Sequence, residues 1–475
     1  MPRLRGFAPI ELRGPRPLPV VGVPLHALRL LGDPVGRLLA LRRRYGELVA
    51  NSDRSPALVC AFAAEHVREV LARPDLFEHD SEIPVKPPPG SALHSVTRGL
   101  VFQNGEAHRR HRKLMSAAFQ RSAVEAYAPA IVATVEAALD TWPVGQVDDI
   151  AELTRRLVQD VAVRCFFGLA PGAAGHLLGR VAAELVDLVT SPATVMLPVD
   201  RPWMPYGRLL RASERLAGLL RELIADKRRS GADADDALAR IVRAGDGEDA
   251  SLDDDEVLSE AITLFFAGHD TQARALVWTL FLLDQHPQVL GALCDEVDSV
   301  LGDRTPTPEL IGRMPLCDQA IKESLRLLPP APVLFVRVTR EATRLGPLEL
   351  PAGASVVLSP LVTQRHPDRF PAPASFRPER WAGREPTLTE YLPFGAGPRM
   401  CIGAAFAGMA LRLMLPMILR RYRLALAPGA RVSRLVRGNI LGPRYGMPMR
   451  VLAQDRRFRK GGPVRGDIAE LVDLG

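Results

Sequence analysis

The sequence predicts one large, mainly α-helical domain with a minor β region, and three observations predict it. Apolar residues recur at helical spacing through most of the chain, above all over residues 258–285, where they occupy much of the helix circumference and require burial. Strand-like runs are few and short. The 475 residues would allow about three domains on length alone, yet no interior linker divides them. The 42 prolines are spread over many turns, and no repeat of solenoid period stands out.

The elements follow in order. Residues 1–24, rich in Pro, Arg and Gly, read as an extended lead-in, with 1–14 standing outside the domain. Residues 34–45 show helical spacing that stops at Gly46. Two apolar runs, 48–50 and 57–62, flank Asn-Ser-Asp-Arg-Ser-Pro and predict a hairpin. Helix returns over 63–72. From 78 to 105 prolines and glycines accumulate with little periodicity, which predicts a long functional loop. Helical patterns dominate 108–187, a proline-rich stretch over 191–205 interrupts them, and 206–227 is helical again. An acidic turn over 233–255 precedes the long helix at 258–285. Short β-like pieces fall at 333–339 and 355–358. The domain extends over 15–453, and residues 454–475 read as a basic, solvated tail.

Composition narrows the function. Hydrophobic residues make up 47% of the chain and charged residues 24%, enough for a large core and incompatible with global disorder. No uncharged apolar stretch approaches the ~18–20 residues that span a bilayer, and no apolar segment follows the basic N-terminus as a secretory signal requires. No transmembrane anchor is therefore expected. Five dispersed cysteines do not form a disulfide framework and point to a reducing cytoplasm. The net charge is +7, but the basic residues are scattered along helices without a nucleic-acid-binding motif. An acidic protein partner fits that charge better.

The most informative segment is Phe394-Gly395-Ala396-Gly397-Pro398-Arg399-Met400-Cys401-Ile402-Gly403. A cysteine among three glycines, just before an apolar helical run over 402–421, has the setting of a metal ligand. Glycine lets the backbone approach a flat cofactor and adopt positive φ, and a helix N-terminus favours a thiolate. The bland alternative is a small buried hydrophobe. The pattern F-x-x-G-x-R-x-C-x-G, met at every fixed position, resembles the haem-binding signature of the cytochrome P-450 family.

Other segments carry the same resemblance in the family's order. Lys322-Glu323-Ser324-Leu325-Arg326 supplies E-x-x-R, and Arg377-Pro378-Glu379-Arg380-Trp381 resembles the P-E-R segment. The resemblance implies a buried ion network of Glu323, Arg326 and Arg380 bracing the haem's thiolate side. Ala267-Gly268-His269-Asp270-Thr271-Gln272 lies in the long helix, where Gly costs ~1 kcal/mol relative to Ala and a buried carboxylate needs a partner. It reads either as a kink with satisfied side chains or as an oxygen-binding groove. By resemblance Asp270 and Thr271 are the catalytic proton-delivery pair. Gln272 stands where the family usually carries a second hydroxyl residue, and His269 stands at a variable position.

Within the basic cluster 105–113, Arg109, Arg110 and Lys113 read as a solvated face. His108 and Arg112 share one helix face at i,i+4 and resemble the pair that binds the haem propionates. Arg337 and Arg399 match further propionate arginines. Gln364, where the family often carries His, is not assigned to the haem. Pro416 falls inside the helix after Cys401, where it should bend the helix or orphan the carbonyl of Arg412.

The resemblance covers residues 15–453. It implies the single-domain fold of that family and haem b (iron protoporphyrin IX), bound non-covalently through Cys401 as axial thiolate ligand, with Phe394 in its loop. The implied reaction is dioxygen-dependent hydroxylation or epoxidation of a hydrophobic small molecule, with electrons from a ferredoxin or flavodoxin and its reductase. A peroxide-driven peroxygenase or isomerase, and a non-catalytic haem sensor, are the rival readings. Neither has a use for the acid–alcohol pair.

Overall fold

The computed structural model describes residues 12–16, 30, 32–80, 83, 85–189, 191–230, 235–245, 252–461 and 463–474. Most of the expected lead-in and part of the acidic turn lie outside these residues. The chain gathers into two compact units, each assembled from separate stretches of sequence.

The first unit takes residues 1–80, 326–374 and 385–401. It holds the helix Pro34–Tyr45, whose bounds match the expected ones. Asp33 caps it by accepting the Gly36 N–H at 3.0 Å, Pro34 opens its first turn, and Gly46 leaves it at a φ of 98°. The expected hairpin forms from β1 (Leu48–Ser52) and β2 (Ser55–Ala61). With β3 (Phe77–His79), β4 (Arg337–Thr339) and β5 (Ser355–Leu358) it builds a five-stranded sheet in the order β1-β2-β5-β4-β3. Only the β2–β5 pairing is parallel. The helix Ala64–Ala72 buries Val67, Val70 and Leu71 into a core shared with Val59, Phe77, Val356, Leu358 and Leu392. That core supports the loop ending at Cys401.

The second unit takes residues 81–325, 375–384 and 402–475 and is mostly helical. Four of its helices matter for the site: α1 (Gly105–Met115), α2 (Asp254–Gly268), α3 (Asp270–Gln285) and α4 (Ala404–Arg421). The expected continuous helix over 258–285 is thus two helices that part at His269. α2 opens on a capping box in which Asp253 and Glu256 satisfy each other's backbone N–H groups. α3 is buried almost throughout, and Trp278 donates its indole N–H to the Leu441 carbonyl at 3.2 Å. α4 begins two residues later than the apolar pattern and continues through Pro416 to Arg421.

Two further expectations need correction. The long loop over 78–105 contains β3, a short helix at Ala92–Val96 and a 3-10 turn at Leu100–Phe102. The tail is solvated over 456–460 but not at its end, where Ile468, Leu471 and Val472 are buried. Arg434 holds that end in place, donating from Nη1 to Glu470 at 2.8 Å and from its backbone N–H to Asp467 at 2.8 Å. One helical stretch, Arg121–Leu139, is long and apolar enough to cross a membrane by length and composition, although half of it is buried inside the protein. It contains Arg121, Glu125 and Glu136 and divides into two helices at Tyr127.

Candidate functional site

Of the eight candidate residues, Arg337, Phe394, Arg399 and Cys401 belong to the first unit, and His108, Arg112, Asp270 and Thr271 to the second. In the first unit the cysteine loop is a tight, glycine-dependent turn. Gly395 and Gly397 have φ of 69° and 70°, which side-chain-bearing residues rarely adopt. A Cβ on Gly397 would also lie 2.7 Å from the Leu71 carbonyl oxygen, so the turn seats directly on the helix Ala64–Ala72. The Cys401 N–H donates to the Phe394 carbonyl at 2.8 Å, closing the loop between the two ends of the signature. Cys401 is exposed, whereas the other four cysteines are buried, and none of the five forms a disulfide. Burial pushes the thiols of Cys60 and Cys165 up to about 12. A thiolate ligand therefore fits Cys401 and none of those two.

Arg337, on β4, is 6% exposed. Burial alone pulls its guanidinium down to about 10, and no carboxylate is paired with it among the described residues. A buried cation of this kind calls for an anion. A haem propionate meets that need, so the donor set of the first unit fits the expected cofactor. Arg399 is half-buried in the 3-10 turn Gly397–Arg399.

In the second unit His108 is buried on α1, and Arg112 stands half-buried one turn on. Arg109 pairs locally with Glu106 at 2.5 Å and is solvated as expected. Arg110 is not: it reaches across to Glu256 on α2.

The break between α2 and α3 follows directly on Gly268. A Cβ at position 268 would fall 2.2 Å from the Phe166 ring, so only glycine fits against the helix Ile150–Phe167. At the break, side chains take over carbonyls of the preceding turn. Thr271 Oγ1 donates to the Ala267 carbonyl at 2.9 Å, and His269 Nδ1 donates to the Phe265 carbonyl at 2.7 Å. Burial lowers the pKa of His269 and keeps its ring neutral. Arg274 Nη2 lies 3.2 Å from Asp270 Oδ1, an ion pair by distance, although that oxygen accepts no hydrogen bond from the described residues. Ala267 is exposed amid half-buried neighbours, so the helix surface is open beside Thr271. Gln272 is buried, and its Oε1 has no hydrogen-bond partner.

The expected bracing residues are multiply hydrogen-bonded. Glu323, with no exposed surface, accepts from Arg380 Nε at 2.9 Å, the Arg377 N–H at 3.0 Å and the Trp381 indole N–H at 2.9 Å. Arg326 donates to the carbonyls of Gln364 (3.1 Å) and Pro373 (2.8 Å) and lies over the Phe370 ring. Gln364 in turn donates to the Arg326 carbonyl at 3.1 Å and accepts the Leu392 N–H at 2.6 Å, a structural role. Sequence reasoning overlooked Trp381, although a tryptophan directly after the P-E-R segment was a usable signal. It also overlooked Phe166, for which no local signal exists.

Comparison with known proteins agrees with these features. The sequence model of one family, described as Cytochrome P450, matches residues 12–444. A cyclooctat-9-en-7-ol 5-monooxygenase of Streptomyces melanosporofaciens is 32% identical over 87% of this chain and 90% of its own length. A pentalenene oxygenase of Streptomyces avermitilis is 29% identical over 90% and 95%. Among solved structures, the heme domain of cytochrome P450DA superposes with a TM-score of 0.82 at 23% identity, covering 94% of this chain and 99% of that one. A retinoic acid-bound cyanobacterial CYP120A1 superposes at 0.79 and 24% identity, covering 94% and 100%. At those identities the two structures speak for the fold alone.

Proposed function

The chain belongs to the cytochrome P450 family of haem-dependent, oxygen-incorporating oxidoreductases, and from that premise we propose that it hydroxylates or epoxidises a terpenoid-like hydrophobic molecule, with Cys401 as the thiolate ligand of a non-covalently bound haem b. The observation that carries the reading is the closed glycine turn that leaves Cys401 as the one exposed thiol. Thiolate-ligated haem, when bound, supplies dioxygen activation and O–O cleavage. One oxygen atom enters the substrate, and the other leaves as water with two electrons and two protons.

The chain's own residues have separable tasks. Arg337, Arg399, His108 and Arg112 bind the propionates and orient the ring. Phe394 closes the cysteine loop through its carbonyl. Asp270, held by Arg274, and Thr271, hydrogen-bonded into the helix break, move protons toward the open surface at Ala267. That pair favours the dioxygen route over a peroxide-driven one.

The substrate class rests on the relatives, which act by name on cyclooctat-9-en-7-ol and pentalenene, both unsaturated compounds. Phe335, over half exposed and edge-on to His79 at 4.8 Å, is one apolar side chain available to such a molecule. The net charge of +7 supports an acidic ferredoxin or flavodoxin as electron donor, and five cysteines without a disulfide support the cytoplasm as its compartment.

The test is spectroscopic. The reduced protein with carbon monoxide should show the red-shifted absorption of a thiolate-bound haem, and Cys401→His should lose it. A histidine-type spectrum in the unaltered protein would overturn the assignment.

A further inference from the structure

His111 lies in the basic stretch that opens α1, three residues after His108 and one before Arg112. Its side chain is 1% exposed. Nδ1 lies 2.6 Å from Glu260 Oε1 and Nε2 lies 3.2 Å from Glu256 Oε1, so one imidazole spans two carboxylates one turn apart on α2. Ionised carboxylates only accept, and both ring nitrogens face them, which is the arrangement of a doubly protonated ring. Glu260 has no exposed surface and also accepts the Leu100 N–H at 2.7 Å. The same face of α2 holds the preceding chain closely. Ser259 donates to the Val96 carbonyl at 3.1 Å, and a Cβ on Gly99 would lie 2.8 Å from both Ser259 Oγ and Thr263 Oγ1.

The surrounding charges are accounted for. Arg110 and Arg98 approach Glu256, and Arg98 also pairs with Asp253 at 2.5 Å and stands 3.7 Å from Asp255. Arg221 stands 3.7 Å from Asp255. On the helix Ala237–Gly245, Arg240 is paired with Asp235 at 2.5 Å. Glu260 and Glu256 are thus the acids that His111 itself meets. Burial opposes its charge, but the hydrogen bond and charge of Glu260, with Glu256, outweigh burial and hold His111 above the ordinary histidine range. Burial raises Glu260 as well, against the effect of His111. The proton therefore stays in the cluster at neutral pH.

We propose that His111 is a positioning residue for the cofactor: clasped by Glu260 and Glu256, it fastens α1 to α2 and so fixes His108 and Arg112 where they grip the haem propionates. The inference rests on the propionate roles assigned above. The sign of its pH dependence follows from linkage. A histidine whose folded pKa is raised stabilises fully below its unfolded value of about 6.5, and that contribution disappears as pH rises through the folded value. The clasp is therefore closed at neutral pH and opens on the alkaline side.

The experiment measures haem release from the holoprotein to excess apomyoglobin between pH 6 and 9. Release should be slow at neutral pH and accelerate toward pH 9. His111→Gln keeps a donor but cannot carry the charge. It should release haem several-fold faster at pH 7, with little change across the range. Its reduced carbon monoxide spectrum should keep the thiolate signature, since Cys401 is untouched. If His111→Gln does not fold, Glu260→Gln carries the test and should flatten the same profile. Release within twofold of the unaltered protein at every pH, in whichever variant folds, overturns the proposal. Failure of the unaltered protein to bind haem would instead sink the reading on which the proposal rests.

Discussion

The indole N–H of Trp381 is bonded to Oε2 of Glu323 at 2.9 Å, while Arg380 and the Arg377 backbone occupy Oε1. A carboxylate with no exposed surface depends on such donors, because water cannot replace any that is lost. Trp381→Phe should therefore cost about 1–3 kcal/mol, and Glu323→Ala, which strands Arg380, about 3–5 kcal/mol. Urea unfolding of the haem-bound protein measures both. Equal stability of Trp381→Phe and the unaltered protein would show that Arg380 and Arg377 suffice.

The proton-delivery pair makes a prediction about product yield. Thr271→Ala should still bind haem, substrate and dioxygen. Product formation should fall, by up to ~10²–10⁴-fold if no other water chain substitutes, with reductant diverted to hydrogen peroxide. Asp270→Asn should slow dioxygen-dependent turnover, since Arg274 would then face a neutral amide. Product and peroxide formed per electron pair consumed decide both. A Thr271→Ala protein fully coupled at normal rate would remove Thr271 from the relay.

Asp284, near the end of α3, is 3% exposed, and burial pushes its carboxyl up to about 6, against the opposing hydrogen bond from Gln285 at 2.7 Å. Its folded pKa lies above the unfolded value, so its favourable contribution is complete below about pH 4 and is lost as pH rises through about 6. Asp284→Asn keeps an acceptor for Gln285 and removes the buried charge. It should be more stable than the parent at pH 7–8, by up to roughly 3 kcal/mol for a shift of about two units, and the advantage should vanish near pH 4. Thermal unfolding across that range measures it. A variant that is less stable at pH 8 would show that the charge is satisfied where it lies.

Electron delivery from an acidic carrier should slow as salt rises, because exposed charges are screened beyond about 8–10 Å at 0.1–0.15 M ionic strength. Stopped-flow association rates at 50 and 300 mM salt give the answer. A constant or rising rate would mean that the +7 charge does not steer docking.

What could be read before the fold was known was mainly local. The helix Pro34–Tyr45 declared both its ends through Asp33, Pro34 and Gly46. The cysteine turn declared itself because its glycines answer to backbone demands a few residues away. A kink over 267–272 was one of two local readings, and what decides for glycine at 268, the Phe166 ring from a hundred residues earlier, has no local signature. Arg326 resembled a member of an ion network by spacing, and no side-chain signature announced that it also donates to the carbonyls of residues 364 and 373. His111 received no reading of its own within a run of basic residues whose solvated reading suits Arg109 and fails for Arg110.

The end of the chain bears on how this protein can be engineered. The family match stops at residue 444, which invites a cut or a fusion joint soon afterwards. A gene ended at residue 461 would uncover the surface beneath Ile468, Leu471 and Val472 and take Asp467 and Glu470 from Arg434. A reductase spliced on there would inherit a sticky, poorly behaved host. Joined after residue 475 through a flexible spacer, it would leave the segment clasped by Arg434 in place.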